Sequence, residues 1–392
     1  MTAKVRVGIL FGGESAEHEI SILSARNVLA ALDARQFEPV LIGIDKHGAW
    51  TLQDPQTLLQ STSDPRLARI EPGPAVQRTP ASKQLTGSDQ GAISAMTGAI
   101  SGKGALTAGI AAGVDVDVVF PVLHGTLGED GCVQGLLEVA GIPYVGAGVL
   151  GSAIGMDKDV MKRLLRDAGI PVANFRTLHK DRFDADPANA SEEVAELGFP
   201  LFTKPANAGS SVGIRKVRSR EGLGEAIRYA FRFDSKVICE AAVSGREVEV
   251  AVLGGRPPIA SVAGEIIVEH PDGFYSYDAK YIDEHGARLE APAKLTAQEQ
   301  AHVRELALRT FQVLECEGMA RVDFFLQPDG ALLVNEINTI PGFTAISMYP
   351  RLWSLSGIGA TELVTRLIAL ALERGEQRAA IRAALASRPA QG

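Results

Sequence analysis

Cysteine is scarce in this chain. There are three, Cys132, Cys239 and Cys316, with no CxxC pair and no metal-ligand spacing. That excludes a disulfide framework and fits a reducing compartment. Positive charge is not in excess either: the net charge of −8 has the wrong sign for a protein that tracks a nucleic-acid backbone. No apolar run is long enough to span a bilayer. The opening MTAKVRVGILFGG is too short in its apolar part for a signal peptide and reads as a strand. No GxGxxG follows that strand, and Gly102-Lys103-Gly104 lacks the upstream glycine and the following Ser/Thr of a Walker loop. These absences point to a protein of the cytoplasm with no nucleic-acid or membrane partner. At 392 residues, 46% apolar and 22% charged, the chain is long enough for two or three domains with real cores and has the balance of a globular enzyme.

The most informative stretch is Arg321–Met348. Two apolar runs, Val322–Leu326 and Leu332–Ile337, flank Gln327-Pro328-Asp329-Gly330, which has turn chemistry. In the resulting hairpin, Arg321 and Asp323 share one strand face, and Glu336 and Asn338 share one face of the partner. A loop centred on Asp329-Gly330 sets Asp323 opposite Glu336 and Arg321 opposite Asn338. Directly opposed carboxylates repel, so a cation between them is expected. Asp, Glu and Asn offer hard oxygens, which suit Mg²⁺ rather than zinc. Pro328 disfavours a two-residue turn, so a four-residue loop, Pro328–Ala331, is expected. A three-residue loop would separate the acids unless a bulge restored them.

The first 150 residues read as a Rossmann-like α/β unit. Val5–Phe11, Glu38–Ile44, Asp115–Leu123 and Pro143–Val145 are its expected strands, with helices after Glu19 and at Val133–Ala140. Glu14, Glu17 and Glu19 crowd the turn after Gly12-Gly13, where acids suit an ammonium better than a phosphate. Glu14 and Glu19 read as helix capping and Glu17 as a ligand contact. His124 ends a strand, where open α/β sheets bind ligands; a purely hydrogen-bonded structural role fits it equally well. Residues 54–113 read as a surface excursion.

From Gly155 a helix runs to about Ala168 with Asp157 as N-cap. A strand ending at Lys204-Pro205, the small-residue loop Ala206–Ser211 and a strand Val212–Val217 make a hairpin whose backbone can approach phosphate oxygens. A helix over Arg220–Phe233 and a strand Lys236–Glu240 follow; Glu240 and the edge after it could read a base. Glu247 and Glu249 share a strand face. A ribose contact is open to Glu247, and a solvated face is the reading for Glu249. The loop after Glu269 carries Tyr275, Tyr277, Lys280 and Tyr281 and reads as a lid. A helix covers Thr296–Leu314, another about Gly359–Glu373, and residues 375–392 read as a frayed tail.

GGESAEHEIS, HGTLGEDG, KPANAGSSVGIRKV, FYSYDAKY, MARVDFFL and NEINTIPGFTAISMYP stand in the order and spacing of the D-alanine–D-alanine ligases of the ATP-grasp superfamily, which the chain resembles over about Val5–Glu373. The resemblance implies an α/β fold with an N-terminal Rossmann-like domain (1–150), a central ATP-grasp lobe (151–240), a C-terminal lobe (241–374) and a tail (375–392). It implies ATP-dependent joining of two D-alanines through an acyl phosphate for peptidoglycan synthesis, in a cytoplasmic homodimer. Lys158, Lys204 and Lys280 would hold phosphates, under the Ser210-Ser211 loop. Glu240 with the backbone of Ala241 and Val243 would read adenine, and Glu247 the ribose. Asp323, Glu336 and Asn338 would hold two Mg²⁺, or Mn²⁺ in their place. Glu17 would bind the first D-alanine's ammonium, with His124 nearby, and would form a hydrogen-bonded triad with Ser210 and Tyr281. Arg321 and the Gly342 backbone would stabilise the oxyanion, and Ser347 and Met348 would hold the second D-alanine's carboxylate.

One departure stands beside a binding residue: Thr203 precedes Lys204 where the family more often has an apolar side chain, which is expected to loosen strand packing. A D-alanyl-D-lactate or D-alanyl-D-serine ligase is the alternative within the fold, and the neutral Tyr281 favours an amine acceptor over lactate. A biotin-dependent carboxylation step would not need SAEHEIS or FYSYDAKY. A non-catalytic nucleotide-binding regulator would be expected to have lost a metal ligand or lysine, and none is missing.

Overall fold

The computed structural model describes residues 3–61, 64–76, 115–269 and 287–387. Its described strands form three sheets. The first has the order β3-β2-β1-β4, from β1 Val5–Gly12, β2 Phe37–Ile44, β3 Trp50–Gln53 and β4 Val118–Pro121. β1 is parallel to β2 and β4, while β3 runs antiparallel on the edge. Val7, Ile9, Leu10 and Phe11 are all buried, which is why this strand reads as an unbroken apolar run. The expected strand at Pro143–Val145 is only a bridge, with Val119 N–H donating to the Pro143 carbonyl at 2.8 Å and Val145 N–H to the Val119 carbonyl at 2.9 Å. Pro143 has no N–H to extend it.

The second sheet is antiparallel, order β5-β8-β6-β7, from β5 Phe175–His179, β6 Leu201–Pro205, β7 Arg215–Val217 and β8 Lys236–Ala241. β7 is shorter than expected because Gly213, inside the expected Val212–Val217, takes positive φ, which breaks the ladder there. The helix Lys158–Asp167 packs near this sheet, with the Asp157 carboxylate accepting from Val160 N–H as its cap. The helix expected over Arg220–Phe233 is Leu223–Ala230, preceded by a 3₁₀ turn at Arg220–Gly222. Thr203 is fully buried, and its hydroxyl donates to the Ala226 carbonyl at 3.3 Å, so its polar group is satisfied rather than disruptive.

The third sheet is antiparallel, order β11-β10-β9-β12-β13, from β9 Arg246–Leu253, β10 Ile259–Val268, β11 Ala287–Glu290, β12 Met319–Leu326 and β13 Leu332–Asn338. Val248, Val250, Val252, Val322 and Phe324 pack in one core with Val303, Leu306 and Phe311 of the helix Ala297–Val313. The alternate residues Glu249, Arg321 and Asp323 therefore point to the opposite face.

The β12–β13 hairpin has the predicted pairs, Arg321 with Asn338 and Asp323 with Glu336. The predicted loop is wrong. Gln327 N–H donates to the Ala331 carbonyl at 2.8 Å and Gly330 N–H to the Gln327 carbonyl at 2.9 Å. The loop is thus three residues, with Gly330 at φ 85° as the left-handed closing residue of a type I turn. The register shifts between Asp323 and Phe324, leaving Asn335 as the extra residue of a bulge. The bulge restores the face that the odd loop would have lost.

The expected tail is overturned over 375–386, while residues 388–392 lie outside the described residues. One helix runs Ala360–Ala386. Its Arg378 pairs with Glu138 at 2.6 Å, and Arg382 donates to the Glu138 carbonyl at 2.6 Å. Alanine and arginine are strong helix formers, and these contacts tie their segment down.

Candidate active site

Two cavities lie against the site face of the third sheet. One, of about 520 Å³, is lined among others by Glu17, His124, Glu129, Gly342, Ser347 and Met348. The other, of about 220 Å³, is lined by Lys204, Ser211, Glu240, Ala241, Val243, Glu247 and Asp323. Both are lined by Lys158, Ser210, Glu249, Arg321 and Glu336, while Asn338 lines the first. Every predicted site residue that is described thus faces one cavity or both. Lys280 and Tyr281, with the predicted lid, lie outside the described residues.

Glu17 is placed by the turn that follows β1. Gly12 has φ 93°, and a Cβ there would lie 2.1 Å from the Ile44 carbonyl oxygen, so the close approach of the ends of the paired strands β1 and β2 demands glycine. Ser21 Oγ accepts from Gly12 N–H at 2.8 Å and donates to the Val122 carbonyl at 2.5 Å. This fixes the head of the helix His18–Ala31, with Glu17 as its N-cap residue. A Cβ on Gly209 would lie 3.2 Å from Glu17 Oε2, so the small-residue loop comes up against that acid. Glu19 is paired with Lys46 at 2.5 Å.

His124 is buried. Its Nδ1–H donates to the Ile340 carbonyl at 3.0 Å, and Nε2 accepts from Ser24 Oγ–H at 3.1 Å. Ser24 Oγ accepts in turn from Phe343 N–H at 3.2 Å. Burial pushes the imidazole below its ordinary pKa, against the pull of Glu17. The ring is neutral and both its nitrogens hold the 340–343 segment. Of the two readings of His124, the hydrogen-bonded structural one describes its contacts, at the wall of the cavity. Ser347 Oγ accepts from Thr344 N–H at 3.0 Å, which folds the 342–347 segment back to the start of the helix Met348–Leu355.

Arg321 is a clamped cation. Its Nε and Nη2 donate to the two oxygens of Asp323, each at 2.7 Å, and Nε lies 3.2 Å from Glu249 Oε1. Burial lowers its pKa, but Asp323 and Glu249 outweigh burial and raise it well above the ordinary value. Asn338 Nδ2 also donates to Asp323 at 3.0 Å. Glu336 faces Lys158 Nζ at 3.9 Å, and Lys158 donates to the Ala208 carbonyl at 2.9 Å. Among the described residues no three His, Cys, Asp or Glu side chains form a metal cluster, because the third member of the predicted set is the amide Asn338. The donor chemistry fits a hard divalent cation: two opposed carboxylates and an amide oxygen on adjacent strands.

Glu240 is the inverse of Arg321. Buried on β8, it has Lys162 Nζ 2.9 Å from Oε1 and Lys204 against Oε2. Burial alone would raise its pKa, but the two lysines hold it well below the usual carboxylate range. In the loop above, Ser210 and Ser211 have φ 50° and 59°. Each costs about 1–2 kcal/mol for a residue with a Cβ, and such strain collects where backbone groups serve a ligand.

Three residues of this site received no role from the sequence. Glu249 is buried on the clamp instead of lying on a solvated face; its alternation with Glu247 was visible, but its burial depends on the neighbouring strands. Glu129 accepts from Gly125 N–H at 2.7 Å and Ile340 N–H at 3.3 Å, and burial together with Glu17 pushes it up to about 8. Lys162 lies one helical turn after Lys158, and that i,i+4 spacing on one face was the available signal.

Comparison with known proteins identifies the family and the fold. A family model described as the D-ala D-ala ligase N-terminus matches residues 6–147, and its C-terminal counterpart matches 164–369. D-alanine–D-alanine ligase A of Chromobacterium violaceum is 50% identical over 379 residues, covering 96% of this chain and 98% of that protein. The structure of the D-alanine–D-alanine ligase from Coxiella burnetii superposes with a TM-score of 0.78 at 36% identity, covering 97% of both chains. The VanG D-Ala:D-Ser ligase from Enterococcus faecalis superposes with a TM-score of 0.77 at 36% identity, covering 94% of this chain and all of that one. The fold is that of the ATP-grasp ligases, and the chain belongs to the D-alanine–D-alanine ligase family.

Proposed function

We propose that this enzyme joins two D-alanine molecules into D-alanyl-D-alanine at the expense of ATP, for peptidoglycan precursor synthesis in the cytoplasm. The observation that carries the reading is the meeting of the two cavities at Lys158, Ser210, Arg321 and Glu336. A nucleotide in the smaller space presents its terminal phosphate at the mouth of the larger.

In this reading Glu240, with the backbone at Ala241 and Val243, selects the base and Glu247 meets the ribose. Lys158, Lys204 and the Ser210-Ser211 loop hold phosphates, with Lys280 joining them. Asp323, Glu336 and Asn338 would hold Mg²⁺, or Mn²⁺; the ions would neutralise charge on the transferring phosphoryl group. Glu17 binds the first D-alanine's ammonium, in concert with Ser210 and Tyr281. A carboxylate oxygen of that D-alanine attacks the γ-phosphorus, the bond to ADP breaks, and an acyl phosphate forms. The second D-alanine, its carboxylate at Ser347 and Met348, gives an ammonium proton to water, and its amine nitrogen attacks the acyl carbon to form a tetrahedral intermediate. Arg321 and the Gly342 N–H meet the oxyanion, and phosphate leaves as the peptide bond forms.

The test is ADP release with D-alanine, L-alanine, D-serine and D-lactate, followed by product mass. Release that depends on D-alanine and yields the dipeptide is expected. A D-alanyl-D-serine product would move the assignment to the activity of the VanG relative, and ATP binding without D-alanine-dependent ADP release would sink the catalytic reading. The enzyme is further proposed to be a homodimer. Leu136, Val139 and Leu150, exposed on the adjoining helices Cys132–Ala140 and Val149–Met156, supply an apolar surface for the second copy. Val139→Glu is expected to shift the sedimentation coefficient to that of a monomer.

A further inference from the structure

Lys162 is the most deeply buried cation described in the site, with 0% of its side chain exposed. Among the described residues its ammonium is in ion-pair contact with Glu240 alone, Oε1 lying 2.9 Å away. It does not line either cavity, whereas Lys204, on the other oxygen of Glu240, lines the nucleotide cavity. The two lysines are therefore not equivalent. Lys204 stands where it can turn to a phosphate; Lys162 is sealed behind the carboxylate.

When Lys204 turns away, Glu240 keeps its charge only if another cation stays. An uncompensated buried carboxylate takes up a proton instead. The charge state then decides what the carboxyl group recognises. An ionised carboxylate only accepts hydrogen bonds, so it favours the 6-amino group of adenine; a protonated one also donates, so it tolerates the 6-oxo group of hypoxanthine. Building on the reading of Glu240 as the base-selecting residue, we propose that Lys162 is a positioning residue for nucleotide specificity: it is the resident counter-ion that keeps Glu240 an acceptor while Lys204 serves the phosphates.

Calorimetric dissociation constants for ATP and ITP, measured without D-alanine, test this. Lys162→Met is expected to lower the ATP-over-ITP preference by about tenfold or more, the worth of a charge-assisted hydrogen bond. The loss should shrink as pH is raised and Glu240 ionises again, a recovery that a merely structural lysine would not produce. Lys162→Arg should retain the preference. Lys162→Gln keeps hydrogen-bonding capacity without charge and serves as the second variant should the methionine fold poorly; it too should lose selectivity. The Lys162→Met/Glu240→Gln double variant should match Glu240→Gln alone. A folded Lys162→Met or Lys162→Gln with the wild-type ratio overturns the proposal. Glu240→Gln with the wild-type ratio overturns the base-selecting role beneath it, which separates the two failures.

Discussion

Arg321 and Glu240 are the centres of two buried ionic clusters of opposite sign. Arg321 is a cation between two carboxylates, Asp323 and Glu249; Glu240 is a carboxylate between two ammonium groups. They differ in how the partners hold on. A guanidinium meets Asp323 through two parallel donors at 2.7 Å, a fork that fixes its plane. Ammonium groups are point charges on flexible stems and exchange partners without losing geometry. The first cluster fixes direction, which the proposed oxyanion role needs, and the second balances charge, which the proposed binding role needs.

That contrast is broken most directly by removing each centre. Arg321→Ala is expected to lower turnover by about two to three orders of magnitude, as loss of an oxyanion donor does, with ATP affinity little changed. Glu240→Gln should do the reverse, weakening ATP while turnover at saturating ATP is nearly kept. Stopped-flow turnover and calorimetric ATP titration separate the two. Equal losses in both quantities from either variant would erase the distinction.

Glu129 shows what a carboxyl group does when its nearby cation, Lys158, forms no ion-pair contact with it among the described residues. Burial and the nearby Glu17 raise it to about 8, and the backbone N–H groups of Gly125 and Ile340 only partly oppose this. Its folded pKa lies above its unfolded one, so its contribution to stability is full at acid pH. That contribution is lost as pH rises from the ordinary carboxylate range through about 8. Thermal melts at pH 5 and pH 9 should show wild type losing up to about 4 kcal/mol more than Glu129→Gln, an upper bound from the shift. Parallel losses in both proteins would mean that other groups set the pH dependence.

Glu249 sharpens the comparison further. Asp323 is claimed both by Arg321 and by the proposed Mg²⁺. With Asp323 holding the ion, Glu249 would remain as a partner for the arginine. Glu249→Gln should raise the Mg²⁺ concentration for half-maximal turnover by about tenfold, the usual scale for a residue behind a metal ligand. An unchanged Mg²⁺ requirement would leave Glu249 a packing residue.

The sequence carried these sites unevenly, for physical reasons. Alternation places Asp323 and Arg321 on one face, and Glu336 and Asn338 on one face, since a strand's period is fixed by its pleat. Their pairing across the hairpin needs a register, and the register expected from a four-residue loop stands only because the bulge at Asn335 offsets the three-residue loop. Lys162 and Glu249 could not be graded, because their burial is set by elements distant in the chain. Residues 375–386 were misread because charge and alanine resemble a loose tail until Arg378 and Arg382 find Glu138. Most strands follow from apolar runs and turns, but β3, β5, β10 and β11 do not stand out in the sequence, and strand ends moved at Pro143 and at Gly213, where a proline or a positive φ intervenes.

The hairpin itself provides the gentlest test. The odd loop closed by Gly330 and the bulge at Asn335 each shift the face by one residue, and together they cancel. A Cβ on Gly330 would meet nothing within 4 Å, so Gly330→Ala leaves packing alone and strains only the backbone at φ 85°. The cost should be about 1 kcal/mol in a urea titration. Turnover should stay at the wild-type value, because the ladder bonds beyond the bulge keep Asp323 opposite Glu336. A fall in turnover alongside that small loss of stability would mean that the turn, and not the bulge, holds Arg321 and the acids on one face.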